Sequence, residues 1–149
     1  MLNLEVSTIN FDSKGNTPLH LAVSYNRLDN VALILNKEMA HSPSSVSMRS
    51  FNKKGWTPLH IACKKGYIDI IKFLIENNAD IDVQTTNNSG ELTPIILASQ
   101  FGHLNIVKLL IDNKANINLY DKKNRSPLTH AVSSKYFLFS YHLNFILLR

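Results

Sequence analysis

The stretch that decides the fold is Gly55–Val83, GWTPLHIACKKGYIDIIKFLIENNADIDV. It opens on Thr57-Pro58-Leu59-His60, a histidine three residues after a hydroxyl, which taken alone could be reactive chemistry. The phrase is not alone. Gly15-Asn16-Thr17-Pro18-Leu19-His20 repeats it 40 residues earlier. A catalytic residue is normally needed once, so the recurrence points to architecture.

Working outward, the Thr-Pro pair returns at Thr93-Pro94 and, weakened, at Ser126-Pro127, giving spacings of 40, 36 and 33 residues. Leu21-Ala22, Ile61-Ala62 and Leu97-Ala98 keep the register downstream, as do Gly66-Tyr67-Ile68 and Gly102-His103-Leu104. Asn78-Ala79-Asp80-Ile81-Asp82 then matches Lys114-Ala115-Asn116-Ile117-Asn118. Self-similarity at this period is the signature of a stacked repeat. The residue types say why each copy folds as it does. A Thr or Ser hydroxyl before Pro caps the first orphan amides of a helix, and Pro at the first helical position lacks only a donor that had no partner. Helices are therefore predicted over Pro18–Tyr25, Pro58–Lys65 and Pro94–Phe101, too short to stand unsupported in water. Gly66 and Gly102 supply a left-handed residue at the turn. Apolar residues at helical spacing follow: Ile68, Ile71, Leu74 and Ile75, then Leu104, Val107, Leu110 and Ile111. Small Ala22, Ala62, Ala98 and Ala131 permit close helix approach.

These residues closely resemble the ankyrin repeat family over about residues 12–134. The resemblance implies an all-α solenoid of antiparallel helix pairs joined by protruding β-turn loops. The chain reads as one repeat domain, 1–149, with copies at about 12–51, 52–87 and 88–120 and a degenerate copy at 121–149. The resemblance gives Thr17, Pro18, His20, Thr57, Pro58, His60, Thr93 and Pro94 a structural role. The imidazole is implied to bond the Thr hydroxyl and a carbonyl of an adjoining loop.

Departures from the pattern are local. Asn30 stands where the other copies carry Ile70 and Ile106, and Ile96 replaces the motif histidine. The Ser-rich stretch at about 41–47 reads as an exposed insertion loop. In the fourth copy, Ser126-Pro127-Leu128-Thr129-His130 scrambles the hydrogen-bonding set. The segment 136–148 is apolar nearly all round, yet thirteen residues with His and Asn inside are too few to span a bilayer. An irregular helix packed on the last repeat is the preferred reading; a membrane anchor is the alternative. Ile9-Asn10-Phe11-Asp12 looks like the tail of a preceding repeat, and an apolar end predicts marginal stability or self-association.

Chemistry finds little purchase. One cysteine, Cys63, excludes an internal disulfide and a Cys-rich metal site, and fits a reducing compartment. The remaining histidines (His41, His103, His130 and His142) have no metal-ligand spacing, and there is no glycine-rich phosphate loop. No orienting carboxylate or nucleophile accompanies His20 or His60 at a matched spacing. No enzyme activity and no cofactor are expected. MLNLEVSTINFD lacks the basic and apolar regions of a secretory signal, so a cytoplasmic or nuclear location is expected and the sequons at Asn87 and Asn124 read as silent.

What remains is surface. The resemblance implies a concave contact face built from loop tips and the outward side of each first helix. The matching positions include Lys14, Tyr25, Lys53, Lys54, Trp56, Lys64, Lys65, Phe101, Lys122, Lys123 and Arg125. Eight of the 16 basic residues fall here, interleaved with aromatics, which points to a protein partner of acidic character. A net charge of +5 is small for a nucleic-acid binder. The expected function is non-catalytic recognition, as adaptor, scaffold or inhibitor. The alternatives are an array targeting an effector or enzyme domain outside this chain, or a membrane-associated module using the apolar tail.

Overall fold

The computed structural model describes residues 11–41 and 46–133, and its helices follow the caps. The first helices of the copies are α1 (Pro18–Ser24), α4 (Pro58–Lys65), α6 (Pro94–Gln100) and α8 (Pro127–Ser133). The second helices are α2 (Leu28–His41), α5 (Ile68–Glu76) and α7 (Leu104–Asp112). A short helix, α3 (Val46–Arg49), follows α2 before the second copy begins. There is no strand among the described residues.

Packing runs in two rows. The row α1, α4, α6, α8 stacks in sequence order, and α2, α5, α7 stack beside it. The seam between the rows holds Val23, Leu35, Leu59, Ala62, Cys63, Ile71, Leu74, Ile95, Leu97, Ala98, Val107 and Leu110, all essentially inaccessible to water. Each large aliphatic side chain so buried contributes about 1.5–3 kcal/mol. This is what holds helices of seven to nine residues in shape.

Loops close on themselves and then on each other. Asp12, Asn52 and Asp121 each accept two amides of their own turn through Oδ1: Lys14 and Asn16, Lys54 and Trp56, Lys123 and Arg125. Successive loops are then joined by backbone bonds: Lys53 N–H to Lys14 O, Thr86 N–H to Gly55 O, and Lys122 N–H to Gly90 O, at 2.9–3.0 Å.

Two expectations are corrected and one is met. Pro18–Ser24 and Pro94–Gln100 end one residue early, because Tyr25 and Phe101 are C-caps at which the chain already turns. Gly66 (φ 83°) and Gly102 (φ 72°) both take the left-handed conformation expected at the turn, Gly102 one residue after the cap of α6, and Asn26 (φ 54°) serves the first copy. The stretch at 41–47 is not simply an exposed loop. Its end enters α3, where Ser47 is buried and donates to Glu38 Oε2 at 2.7 Å and Met48 joins the core. Residues 42–45, the apolar segment 136–148 and Ile9-Asn10 lie outside the described residues.

Candidate functional site

The motif histidines are joints. Thr17 N–H donates to His20 Nδ1 (3.2 Å), so that nitrogen is the acceptor and the ring proton sits on Nε2. Nε2–H donates to the Trp56 carbonyl of the next copy at 2.8 Å. His60 repeats this with Thr57 N–H (3.1 Å) and donates to the carbonyls of Val83 and Leu92, both at 3.0 Å. Burial holds the His60 imidazole neutral, pushing its pKa down to about 4, and lowers that of His20 in the same direction. A ring with both nitrogens spoken for and no room for a proton is a poor base at neutral pH. In the third copy Thr93 Oγ1 accepts from Ile96 N–H, and Ile96 is itself buried.

The fourth copy builds something else. With the histidine moved one residue on, His130 Nε2 reaches Asp121 Oδ2 at 2.9 Å, and both side chains are buried. Arg125 closes the cluster, its guanidinium 2.7–2.8 Å from the same oxygen. Asp121 is held below the usual carboxylate range by these bonds, against the opposing effect of its burial; His130 is lowered mainly by burial. This cluster helps line a cleft of about 400 Å³ together with Gly90, Gln100 and Lys122–Lys123. The sequence reading missed it, although the recurrence of Asp12, Asn52 and Asp121 at loop starts was its signal. Cys63 is fully buried, which pushes its thiol pKa up and makes it inert. Among the described residues, no group of three or more His, Cys, Asp or Glu could hold a metal.

The basic and aromatic positions fall into distinct groups. Trp56, in the loop before α4, Lys64, in its last turn, and Phe101, the C-cap of α6, come together: the Lys64 ammonium lies 5.0 Å from the Trp56 ring and 5.3 Å from the Phe101 ring. Lys65 donates to Ser24 O (2.7 Å) and packs on Tyr67, while Lys53 donates to Ser13 O (2.8 Å). Lys122 reaches Asn88 Oδ1 at 3.5 Å, and Arg125 is committed to Asp121. Lys54 and Lys123 are exposed at loop tips, with no side-chain bond among the described residues; Lys14 sits beside the Asp12 carboxylate. Tyr25 stands apart, 72% exposed at the C-cap of α1.

Helix pairs stacked in two rows, with loop bonded to loop, define a helical repeat protein. The comparisons name the kind: a family model described as ankyrin repeats in three copies matches residues 1–85, and one described as ankyrin repeats in many copies matches residues 62–111. The chain belongs to the ankyrin repeat family, whose members are in general non-catalytic protein-interaction modules. No curated protein matches the chain. Among the described residues, no helix is long and apolar enough to cross a membrane.

Proposed function

We propose that this chain, as a single array of three full copies and a degenerate fourth, is a non-catalytic recognition module. It binds an acidic segment of a partner protein through its loop tips and first helices. The observation that carries this reading is the chain of backbone bonds from Lys14 O to Lys53, Gly55 O to Thr86 and Gly90 O to Lys122. Through it, Lys14, Lys53 and Lys54 on the first two loops and Lys122 and Lys123 on the fourth share one edge, with the uncharged residues and Glu91 of the third loop between them. Cations grouped along one edge raise the encounter rate with an acidic partner. Nucleic acid suits the pattern less well, since the whole-chain excess is only +5. An adaptor, scaffold or inhibitor working in the cytoplasm or nucleus fits this reading.

The test is affinity capture of partners from lysate, comparing the natural chain with a Lys14→Glu, Lys54→Glu, Lys123→Glu variant of unchanged helical content. Bound proteins should be lost from the variant, and those captured by the natural chain should be released by moderate salt. The reading is wrong if the same proteins are captured with the same salt dependence.

A further inference from the structure

We infer that Trp56, Lys64 and Phe101 form the anchoring pocket of this face, and that its ligand is a carboxylate side chain flanked by an apolar one. The inference rests on the recognition reading above and narrows it to one residue type in the partner. Its basis is how the cations are employed. Lys53, Lys65, Lys122 and Arg125 spend donors on Ser13 O, Ser24 O, Asn88 Oδ1 and Asp121. The Lys64 ammonium has no hydrogen-bond acceptor among the described residues, yet it is held in place by two ring faces. An ammonium carries three donors, and the negative faces of the rings satisfy its charge without consuming them. It is therefore a fixed, exposed cation with its hydrogen bonds still to make, the state in which binding a carboxylate loses least side-chain entropy.

The rings set the second requirement. Trp56 is half-buried, its backbone pinned by His20 at the carbonyl and by Asn52 at the amide. Phe101 is half-buried on the neighbouring copy. Two anchored aromatics beside one cation offer an apolar platform within a side chain's reach of the charge, the pairing that makes interface hot spots. A cationic ligand is disfavoured, because the Lys64 ammonium already places a positive charge beside both rings.

A randomised 12-residue peptide library displayed on phage, selected on the intact chain, tests this. Recovered sequences should be enriched in Asp or Glu within three positions of Leu, Ile or Phe. The best peptide, synthesised with fluorescein, should lose at least about tenfold in affinity, and most of its salt dependence, on Lys64→Met, which keeps the stem and removes the charge. It should change less than about twofold on Lys72→Met, an exposed lysine of α5. If Lys64→Met stays within twofold while Lys54→Glu weakens the same peptide, the pocket is refuted and the wider reading stands. If selection yields no acidic sequences, both fail. Enrichment of acidic residues with no apolar neighbour refutes the role given to the rings.

Discussion

His20 and Trp56 are bonded across the boundary between the first two copies, Nε2–H of one to the carbonyl oxygen of the other at 2.8 Å. The residue that looks most like chemistry thereby holds in place the residue best suited to recognition. Removing the imidazole leaves the Thr17 amide without a partner in a fully buried site, and leaves the Trp56 carbonyl with the Asn52 amide alone. His20→Ala is expected to cost about 2–4 kcal/mol in urea unfolding. Trp56 is the sole tryptophan, so its fluorescence should report loosening of this loop at lower urea than the loss of helical circular dichroism. Coincident transitions with an unshifted midpoint would contradict the joint.

The same histidines make stability depend on pH, with a definite sign. His60 stays neutral in the folded chain until about pH 4, while an unfolded histidine takes its proton near 6.5. The unfolded chain therefore binds more protons between those values, and stability falls as pH falls. The contribution is complete above pH 6.5 and is lost progressively toward pH 4; for His60 it amounts to about 3 kcal/mol. His20 and His130 act in the same direction, and the depressed carboxylate of Asp121 adds a further loss below its ordinary value of 3.8. Urea midpoints measured from pH 7.5 to 4.5 should be flat at first and then decline. A flat profile throughout would mean that the imidazoles are not buried neutral.

Sequence carried the repeat because its signals are local and redundant. A Thr-Pro start, a small Ala and an apolar period each point to the same helix pair, and three copies agree. Conformations without a residue-type signature were illegible. Lys114 adopts φ 69° and Glu91 φ 56°, which no lysine or glutamate announces. The helix α3 was hidden by a Ser-rich composition whose Ser47 turns out to bond Glu38. At the candidate site, sequence could place a lysine on a loop or helix end but not say where its ammonium goes. Lys64 and Lys65 are neighbours in the chain, yet one rests between two rings and the other donates to Ser24 O. That distinction depends on groups of adjoining copies, the Phe101 ring 37 residues on and the Ser24 carbonyl 41 residues back, and only folding supplies them.

Glycine at position 55 is required twice over. Its φ is +73°, and a Cβ there would lie 2.2 Å from the Thr86 carbonyl oxygen, which is backbone and tied to the same loop. Gly90, at φ +96°, has nothing nearer than 3.7 Å. Gly55→Ala should therefore cost more than Gly90→Ala, about 3 kcal/mol against about 1, since only the first adds a clash to the conformational strain. Thermal melts of the two variants would show the difference, and equal shifts would mean that the loops can part without loss.

Ser99 offers a change in the opposite direction. It lies on α6 in the register filled by Val23 and Cys63, fully buried, and its hydroxyl has no hydrogen-bond partner among the described residues. A buried hydroxyl without a partner loses its water and gains nothing, so an apolar side chain of smaller size is preferred there. Ser99→Ala should raise unfolding free energy by about 1 kcal/mol, read as a higher urea midpoint at unchanged slope. A loss of more than about 1 kcal/mol would show that the hydroxyl has a partner after all, because emptying so small a volume accounts for less than that. Gln100 and Phe101 follow directly on the exposed end of the same helix, so peptide affinity at the Lys64 pocket serves as a control. It should be unchanged in Ser99→Ala, since the substitution removes one buried atom and leaves both rings and the ammonium where they are.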